Sequence, residues 1–355
     1  MRPDALSWCC ASLLAWGALA QTDVVVSIAP AGTPGAAYNS LVTWEAGEED
    51  DLVALNQNHI AEISGSWTVV DLGPVLVDGW TTDGTRFVTI RAVGAARHQG
   101  VFPASGSGKH VLTINPTDTI VLDLWESFTV LDGLSLLLNS QNNISKAVQG
   151  NSTSGANAFT FRSCLAKNSN KTPTSQAGFS LSHVANVNDY LVNCVADGFD
   201  NGFIISQYAL GVFVNCTAVN STLVGFTVQG GYENSAMPTF INCVSTLSSN
   251  SGFYYGLLGG LSDYNISDQA QTMPGPNSKV GTVLLVDTVN GDYHLSASDA
   301  QARAFCPHYN GAAGITFTND FEGNERGATT WDAGADEYGS SAPVTARGQV
   351  IMVTQ

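Results

Sequence analysis

The chain has 355 residues, only 12% of them charged, and its 13 basic and 30 acidic residues give a formal net charge of −17. Nucleic-acid backbones and anionic membrane surfaces attract proteins rich in Lys and Arg, so this charge argues against both as partners. The simplest explanation of the acidity is solubility in an extracellular medium. The alternative explanation is that the acidic residues bind divalent cations. The length allows one long repeat structure with end caps and requires no second globular domain.

Residues 1–20 have the features of a secretion signal. Arg2 supplies a basic start, residues 5–20 are apolar, and Ala-Leu-Ala at 18–20 fits a small-residue cleavage site. The apolar run is too short to span a bilayer. We therefore predict a signal peptide over 1–20, no membrane span, and a location outside the cell or on a cell or virion surface.

The next segment is predicted to cover the first end of the fold. An apolar strand at 24–26 is followed by a short helix predicted over 40–46. Ser40 is its expected N-cap, and acidic residues in its first turns would be favoured by the helix dipole. Because the open end of a repeat structure must be covered, we predict an N-terminal cap over 21–66. The acidic run at 48–51 is typical of a solvated surface, with a cation site as the alternative.

A five-residue phrase centred on cysteine is repeated in the middle of the chain, within a predicted coil region at 67–256. The phrase reads RSCLA at 162–166, VNCVA at 192–196, VNCTA at 214–218 and INCVS at 241–245. Each phrase is followed by a Gly-Phe pair, at 178–179, 202–203, 225–226 and 252–253. Self-similarity at roughly 20–50 residues indicates a solenoid. Each repeat would supply one short strand at the phrase and a second at the Gly-Phe pair.

Stacked coils convert this repetition into columns of like side chains. Within a phrase, Cys and the small residue two positions later share one strand face, while the residue between them points the other way. Coils in register place equivalent residues directly above one another. Asn suits a bend because it tolerates left-handed backbone and its amide can bond the next coil. The predicted columns are Cys164, Cys194, Cys216 and Cys243; Phe179, Phe203, Phe226 and Phe253; and Asn193, Asn215 and Asn242.

These features resemble a right-handed parallel β-helix of the pectate-lyase-like type. The phrases at 40–46, 77–83 and 88–90 are similar to β-helix proteins of tailed-phage and environmental bacterial genomes. The tail at 319–337 looks like the closing segment of secreted bacterial β-helix proteins, which implies that 257–355 holds the last coils and a C-terminal cap folded over the last coil. The predicted fold class is all-β, a β-helix solenoid with a short helical N-terminal cap and a C-terminal cap.

Enzymes of this architecture are mostly lyases or hydrolases of acidic polysaccharides, so the resemblance implies where to look for chemistry. A lyase needs a base and a cationic group, yet no Lys or Arg occurs between 172 and 278. A hydrolase needs two carboxylates roughly 5–10 Å apart. Asp197 and Asp200 are the best pair, with Asp189 one coil earlier. The alternative is that these aspartates cap turns.

Acidic residues near the C-terminus and several sequons are further candidate sites. Ca²⁺ is coordinated by several oxygen ligands, and the acidic residues of the tail could supply them. The alternative is that these residues accept hydrogen bonds within a turn of the cap. No Cys or His spacing typical of zinc occurs. The Ca²⁺ candidates are Asp320, Glu322, Asp332 and Asp336. In a eukaryotic secretory pathway, the expected glycan acceptors are Asn143, Asn151, Asn170, Asn220 and Asn265, while Asn215 on the ladder should stay unmodified.

The function predicted from the sequence is non-catalytic: an extracellular or virion-surface rod for structure, adhesion or glycan binding. A secreted polysaccharide lyase or glycoside hydrolase is the alternative. The expected partners are a glycan or other copies of the chain, with a homo-trimer as the oligomer to test. The candidate aromatic platforms for sugars are Tyr190, Tyr208, Tyr232, Tyr254 and Tyr255.

Overall fold

The computed structural model describes residues 20–152, 159–171, 174–229, 238–255, 258, 260–271, 273–309 and 314–339, so the predicted signal peptide up to residue 19 lies outside the described residues. The strands are β1 (Thr22–Ile28), β2 (Gln57–Ile63), β3 (Asp71–Leu72), β4 (Val75–Val77), β5 (Val88–Ala92), β6 (Leu112–Thr113), β7 (Ile120–Leu124), β8 (Thr129–Asp132), β9 (Ser135–Leu138), β10 (Lys146–Ser152), β11 (Thr160–Arg162), β12 (Leu165–Asn168), β13 (Ala177–Val192), β14 (Val195–Asp197), β15 (Asn201–Val214), β16 (Thr217–Val219), β17 (Val224–Gln229), β18 (Thr239–Ile241), β19 (Val244–Thr246), β20 (Ser251–Tyr254), β21 (Ile266–Ser267), β22 (Lys279–Val280), β23 (Leu285–Asp287), β24 (Asp292–Leu295), β25 (Cys306–Pro307) and β26 (Thr330–Trp331). The helices are α1 (Leu41–Glu48) and α2 (Leu52–Leu55), with a 3-10 turn at Gly94–Ala96.

The strands wind into a right-handed parallel β-helix, as the repeats predict. A 13-stranded and a nine-stranded sheet are both paired in parallel throughout. The larger sheet supplies two sides of each coil. Face 1 contains β4, β7, β10, β17, β20 and the first halves of β13 and β15; face 2 contains β1, β2, β5, β8, β11, β18 and the second halves of β13 and β15. Face 3 is the nine-stranded sheet of β3, β6, β9, β12, β14, β16, β19, β21 and β22.

Two strands are longer than the sequence predicts. β13 has 16 residues and β15 has 14, because each continues from its Gly-Phe pair to the residue before the next Asn. The two halves of β15 pair with different strands, β17 and then β18. Each coil therefore has three sides, where the phrase and the Gly-Phe pair predicted two short strands.

The phenylalanine column lies inside face 1. Phe179, Phe203, Phe226 and Phe253 are register partners, and successive rings stack 4.8–5.2 Å apart with interplanar angles of 4–9°. The glycine before each ring allows the backbone of the next coil to approach closely. A Cβ on Gly202 would stand 2.7 Å from the carbonyl oxygen of Gly225 in the next coil, closer than real side chains approach.

The cysteines and asparagines occupy the corner between faces 2 and 3. The pairing of Ala166, Ala196, Ala218 and Ser245 in face 3 stacks the four cysteines two residues earlier, all buried as free thiols. Burial raises the pKa of the Cys164 and Cys216 thiols well above their usual value, which keeps them neutral. Asn193, Asn215 and Asn242 all adopt a left-handed φ of 54–55°. Asn242 Nδ2 donates to Asn215 Oδ1 at 2.8 Å.

The N-terminal segment both covers the first coil and belongs to the stack. Ser40 Oγ accepts from the Thr43 amide at 3.2 Å, so it caps α1 as the sequence predicts, although no acidic residue lies in the first turn. Leu41 and Trp44 of α1 are buried in the core. The strands on either side of the helices, β1 and β2, pair in register within face 2, so the stack begins at Thr22, inside the range predicted as a cap. Among the described residues, no helix is long and apolar enough to cross a bilayer.

The C-terminal segment covers much more than the last coil. Residues 283–309 and 314–338, called the strap, run along the outside of faces 2 and 3. On face 3, Tyr293 and Phe321 of the strap pack on Leu165 and Val195. On face 2, the strap residues Ile315, Phe317 and Trp331 pack on outward side chains that include Tyr190 and Val212. Faces 2 and 3 are also apolar on their outer sides where the strap packs, and the strap removes that surface from water.

Candidate functional site

The candidate catalytic aspartates all accept internal hydrogen bonds. Asp189 is fully buried, and its Oδ1 accepts from the Phe159 amide at 2.8 Å. Asp197 is 3% exposed and accepts from Asn220 Nδ2 at 2.8 Å and from the strap Tyr293 hydroxyl at 2.9 Å. Both carboxylates are therefore committed to holding the fold together.

Asp200 joins neighbouring coils. Its Oδ2 accepts from the Gln176 amide at 3.0 Å in the preceding coil, and its Oδ1 accepts from the Thr222 hydroxyl in the next. Asp197 is bonded to the strap and to the next coil, whereas Asp200 is bonded to the turns of the two neighbouring coils. The geometry matches the turn-capping alternative.

Two of the four Ca²⁺ candidates also act as turn acceptors. Asp320 Oδ1 accepts from the amides of Glu322, Gly323 and Asn324 at 2.9–3.0 Å. Asp332 binds two strap amides, those of residues 304 and 338, at 2.6 and 2.8 Å. These contacts fix the loops of the strap. The other two candidates, Glu322 and Asp336, lie close to His294, a residue that no local sequence spacing indicates.

His294, Glu322 and Asp336 form a mixed cluster on the strap, called the strap cluster. Their ligand atoms all lie within 4.8 Å of one another. His294 Nε2 is 3.2 Å from Glu322 Oε2, and its Nδ1 is 2.6 Å from Asp292 Oδ1. The hydrogen bonds to Glu322 and Asp292 raise the pKa of His294 to about 9, and burial raises that of Asp336 to about 6. The strap brings together residues that are far apart in the sequence, which is why no local spacing revealed them.

A second group of carboxylates surrounds a cavity of about 440 Å³ at the N-terminal end of face 1, called the N-terminal cavity. Glu45 of α1 lines it, with Glu49 and Asp78. Glu45 Oε1 accepts from the Trp80 indole at 3.0 Å and from the Asp78 amide at 3.1 Å. Burial raises the pKa of Glu45, and of Glu126 nearby, from 4.5 to about 7. No local sequence pattern indicates this pair, because the two glutamates come from different coils.

The pKa of Glu45 predicts how stability should depend on pH. Its folded pKa of about 7 lies above the ordinary value of 4.5, so the folded chain binds the proton more tightly than the unfolded chain. The resulting stabilisation is complete below about pH 4.5 and is lost as the pH rises through 7. Glu45→Gln keeps an oxygen for Trp80 and removes the buried charge. We expect it to raise the thermal midpoint relative to wild type at pH 8.5, and to do so much less at pH 5.

The matched control is Glu325→Gln, which removes the same charge from an exposed position. Thermal unfolding followed by circular dichroism at both pH values measures the difference. A Glu45→Gln effect that is equal at pH 5 and pH 8.5 would contradict the assignment.

An exposed tryptophan lies beside this cavity on face 1. We call Leu76, Asp123, Trp125, Gln149 and Asn151 the Trp125 patch. Its indole is 43% exposed and hydrogen-bonds to Asp123, and Asn151 Nδ2 donates to Asp123 Oδ1 at 3.3 Å. Leu76, Asp123 and Gln149 are aligned across β4, β7 and β10, and Leu76 also lines the N-terminal cavity. The clusters under the strap contain residues of faces 2 and 3, so the patch lies on the remaining face.

The predicted aromatic platforms are distributed differently. Tyr190 is 4% exposed beneath the strap, whereas Tyr254 is 63% exposed on face 1. Tyr255 packs half-buried against the core. The side chain of Tyr208 and the whole of Tyr232 lie outside the described residues.

One predicted glycan acceptor is incompatible with the fold. Asn265 is fully buried, and its Nδ2 donates to the carbonyl oxygens of Phe240 and Pro274, both at 2.8 Å. A sequon records local sequence and not burial, so sequence alone did not distinguish Asn265 from the more exposed acceptors. Asn143 is exposed, and Asn151, Asn170 and Asn220 are half-buried.

No protein-family model matches the chain, and no curated protein or solved structure matches it either.

Proposed function

We propose that this protein is a non-catalytic β-helical rod, displayed outside the cell or on a virion, that contacts glycans through the Trp125 patch. The observation that carries the proposal is the exposed indole of Trp125 beside Asp123 on the face that the strap leaves open. An indole offers a flat apolar surface against which a sugar ring can lie, while carboxylate and amide groups around it can bind hydroxyls.

The polar groups of the patch are already held in place. Asp123 is positioned by Trp125 and Asn151, and Lys146 Nζ donates to Gln149 Oε1 at 2.5 Å. Side chains that are ordered before binding lose less conformational freedom when a ligand arrives. Asp189, Asp197 and Asp200 each accept internal hydrogen bonds, and this structural role supports the non-catalytic part of the proposal.

Other copies of the chain are the second class of partner, with a homo-trimer as the arrangement to test. Sedimentation velocity at several protein concentrations distinguishes a monomer from a trimer.

A glycoside hydrolase is the second candidate function, favoured by Glu45 and Glu126. A carboxyl group that donates a proton near neutral pH needs a raised pKa, and burial raises the pKa of both groups to about 7. Glu45 lines the cavity that adjoins the patch. In this alternative the Trp125 patch would hold the sugar chain and a glutamic acid would protonate the leaving oxygen.

The test is a panel of neutral and uronate polysaccharides, assayed for both binding and cleavage. We expect at least one polymer to bind without release of reducing ends, and Trp125→Ala to weaken that binding about tenfold, or about 1.4 kcal/mol. Tyr338→Ala, which removes an aromatic that is 39% exposed on the strap, away from face 1, is the matched control and should bind normally.

Three variants separate the candidate functions. Turnover that is abolished by Glu126→Gln would establish the hydrolase instead, and turnover abolished by Asp197→Ala or Asp200→Ala would restore the catalytic pair predicted from sequence. Equal glycan binding by wild type and Trp125→Ala would show that the Trp125 patch does not bind the glycan.

A further inference from the structure

The strap cluster joins three separate parts of the strap. His294 belongs to β24, Glu322 to the turn that follows Asp320, and Asp336 to the loop after β26. Their ligand atoms lie within 4.8 Å of one another, and the closest pair, His294 Nε2 and Glu322 Oε2, is 3.2 Å apart. Ligands of a tetrahedral ion with bonds of 2.0–2.2 Å are roughly 3.4 Å apart, so this pair already has the required separation.

The imidazole is oriented as a metal ligand is. Asp292 Oδ1 holds Nδ1 at 2.6 Å, which directs Nε2 toward Glu322. A carboxylate behind a ligating histidine is the usual outer contact in metal sites, because it fixes the tautomer and the ring direction. The ring is also confined sterically: a Cβ on Gly100 would lie 2.4 Å from Nε2, and the Phe321 ring meets it edge-on at 5.6 Å.

The charges around the cluster suit a divalent cation. Asp292, Glu322 and Asp336 place three carboxylates around one imidazole. The nearby cation, Arg326, is directed elsewhere, to backbone carbonyl oxygens and to Glu337. His294 and Glu322 have exposed fractions of 28% and 21%, so an ion can reach the site from solvent.

The donor set selects the class of metal. Ca²⁺ and Mg²⁺ prefer all-oxygen coordination, whereas one imidazole with two carboxylates suits Zn²⁺ and similar first-row ions. We propose that His294, Glu322 and Asp336 bind a Zn²⁺-class ion that fastens the three parts of the strap to one another. This site keeps Glu322 and Asp336 of the four carboxylates predicted from sequence for Ca²⁺ and adds His294, since these three groups converge within 4.8 Å. It is independent of the proposed glycan contact.

The experiment is a metal titration of the full chain after treatment with a chelator. We expect Zn²⁺ to bind with one-to-one stoichiometry at micromolar concentration by calorimetry and to raise the thermal midpoint, with Ca²⁺ binding at least tenfold more weakly. His294→Gln and Glu322→Gln should each weaken Zn²⁺ binding tenfold or more. His308→Gln is the matched control, because that strap histidine packs edge-on against Trp331, away from the cluster, and should bind as wild type does.

A second measurement needs no variant. Co²⁺ added in place of Zn²⁺ should give the visible absorption bands of a tetrahedral site, and added Zn²⁺ should remove these bands while added Ca²⁺ should not. The proposal is overturned if wild type shows no saturable one-to-one Zn²⁺ binding, if both glutamine variants bind Zn²⁺ as wild type does, or if Co²⁺ gives no visible absorption that Zn²⁺ removes.

Discussion

Phe226→Ala is expected to reduce the free energy of unfolding by about 3–5 kcal/mol. The ring is fully buried and stacks on Phe203 at 4.8 Å and on Phe253 at 4.9 Å, and it meets the edges of Phe213 and Phe240 at 6.0 and 5.7 Å. The coils on both sides are held in register by strand pairing, so the surrounding rings have little freedom to close the cavity.

Chemical denaturation followed by far-ultraviolet circular dichroism measures this loss. Tyr254→Ala is the control, because it truncates an aromatic that is 63% exposed and should change stability by no more than about 0.5 kcal/mol. Phe226→Leu keeps most of the buried volume and should lose less than Phe226→Ala, which preserves the test if the alanine variant fails to fold. Equal losses from Phe226→Ala and Tyr254→Ala would contradict the stacked interior.

Arg326→Met is expected to release the strap from the solenoid at a cost of about 3–5 kcal/mol. The guanidinium is fully buried and donates to Asn193 Oδ1 at 3.0 Å, which ties the strap to the asparagine corner. It also donates to the carbonyl oxygens of residues 319, 332, 334, 335 and 336. Methionine keeps a similar length but no donor, so these acceptors and the Glu337 carboxylate would lose their partner.

Limited proteolysis with peptide mass spectrometry detects the release directly. We expect faster cleavage within 314–338 in Arg326→Met, with the coils cut at the wild-type rate. Arg303→Met is the matched control, since that exposed strap arginine lies 4.0 Å over the Tyr338 ring and donates to the Ala297 carbonyl oxygen. Equal cleavage of the strap in both variants would show that Arg326 does not hold it.

The columns of stacked side chains could be predicted from the sequence, because repetition and strand alternation are local properties. Phe179 and Phe203 follow glycine at equivalent places in successive phrases, and the structure makes them register partners. The length of β13 could not be predicted, because its two halves pair with different strands and only the folded chain shows those partners.

The roles of the acidic residues depended on partners far along the chain. Asp197 was a reasonable candidate acid in its local sequence, yet Tyr293, 96 residues away, donates to it in the structure. His294 was passed over because its neighbours in the cluster come from other strap segments. Glu45 and Glu126 were missed for the same reason, since α1 and the turn after β7 meet only in the folded chain.

The sequence by itself determined the coil: its repeated phrase, its small and aromatic interior, and the asparagine bends. Tertiary structure alone decided what lies against the outside of that coil. Leu165, Val195 and Val244 alternate with the interior residues, and their pattern indicated strands without indicating a partner. In the structure the strap covers all three, which leaves the face with Trp125 open. The physical reason is that alternation assigns side chains to a face, whereas burial of that face depends on the strap, a later segment whose own sequence carries no matching period.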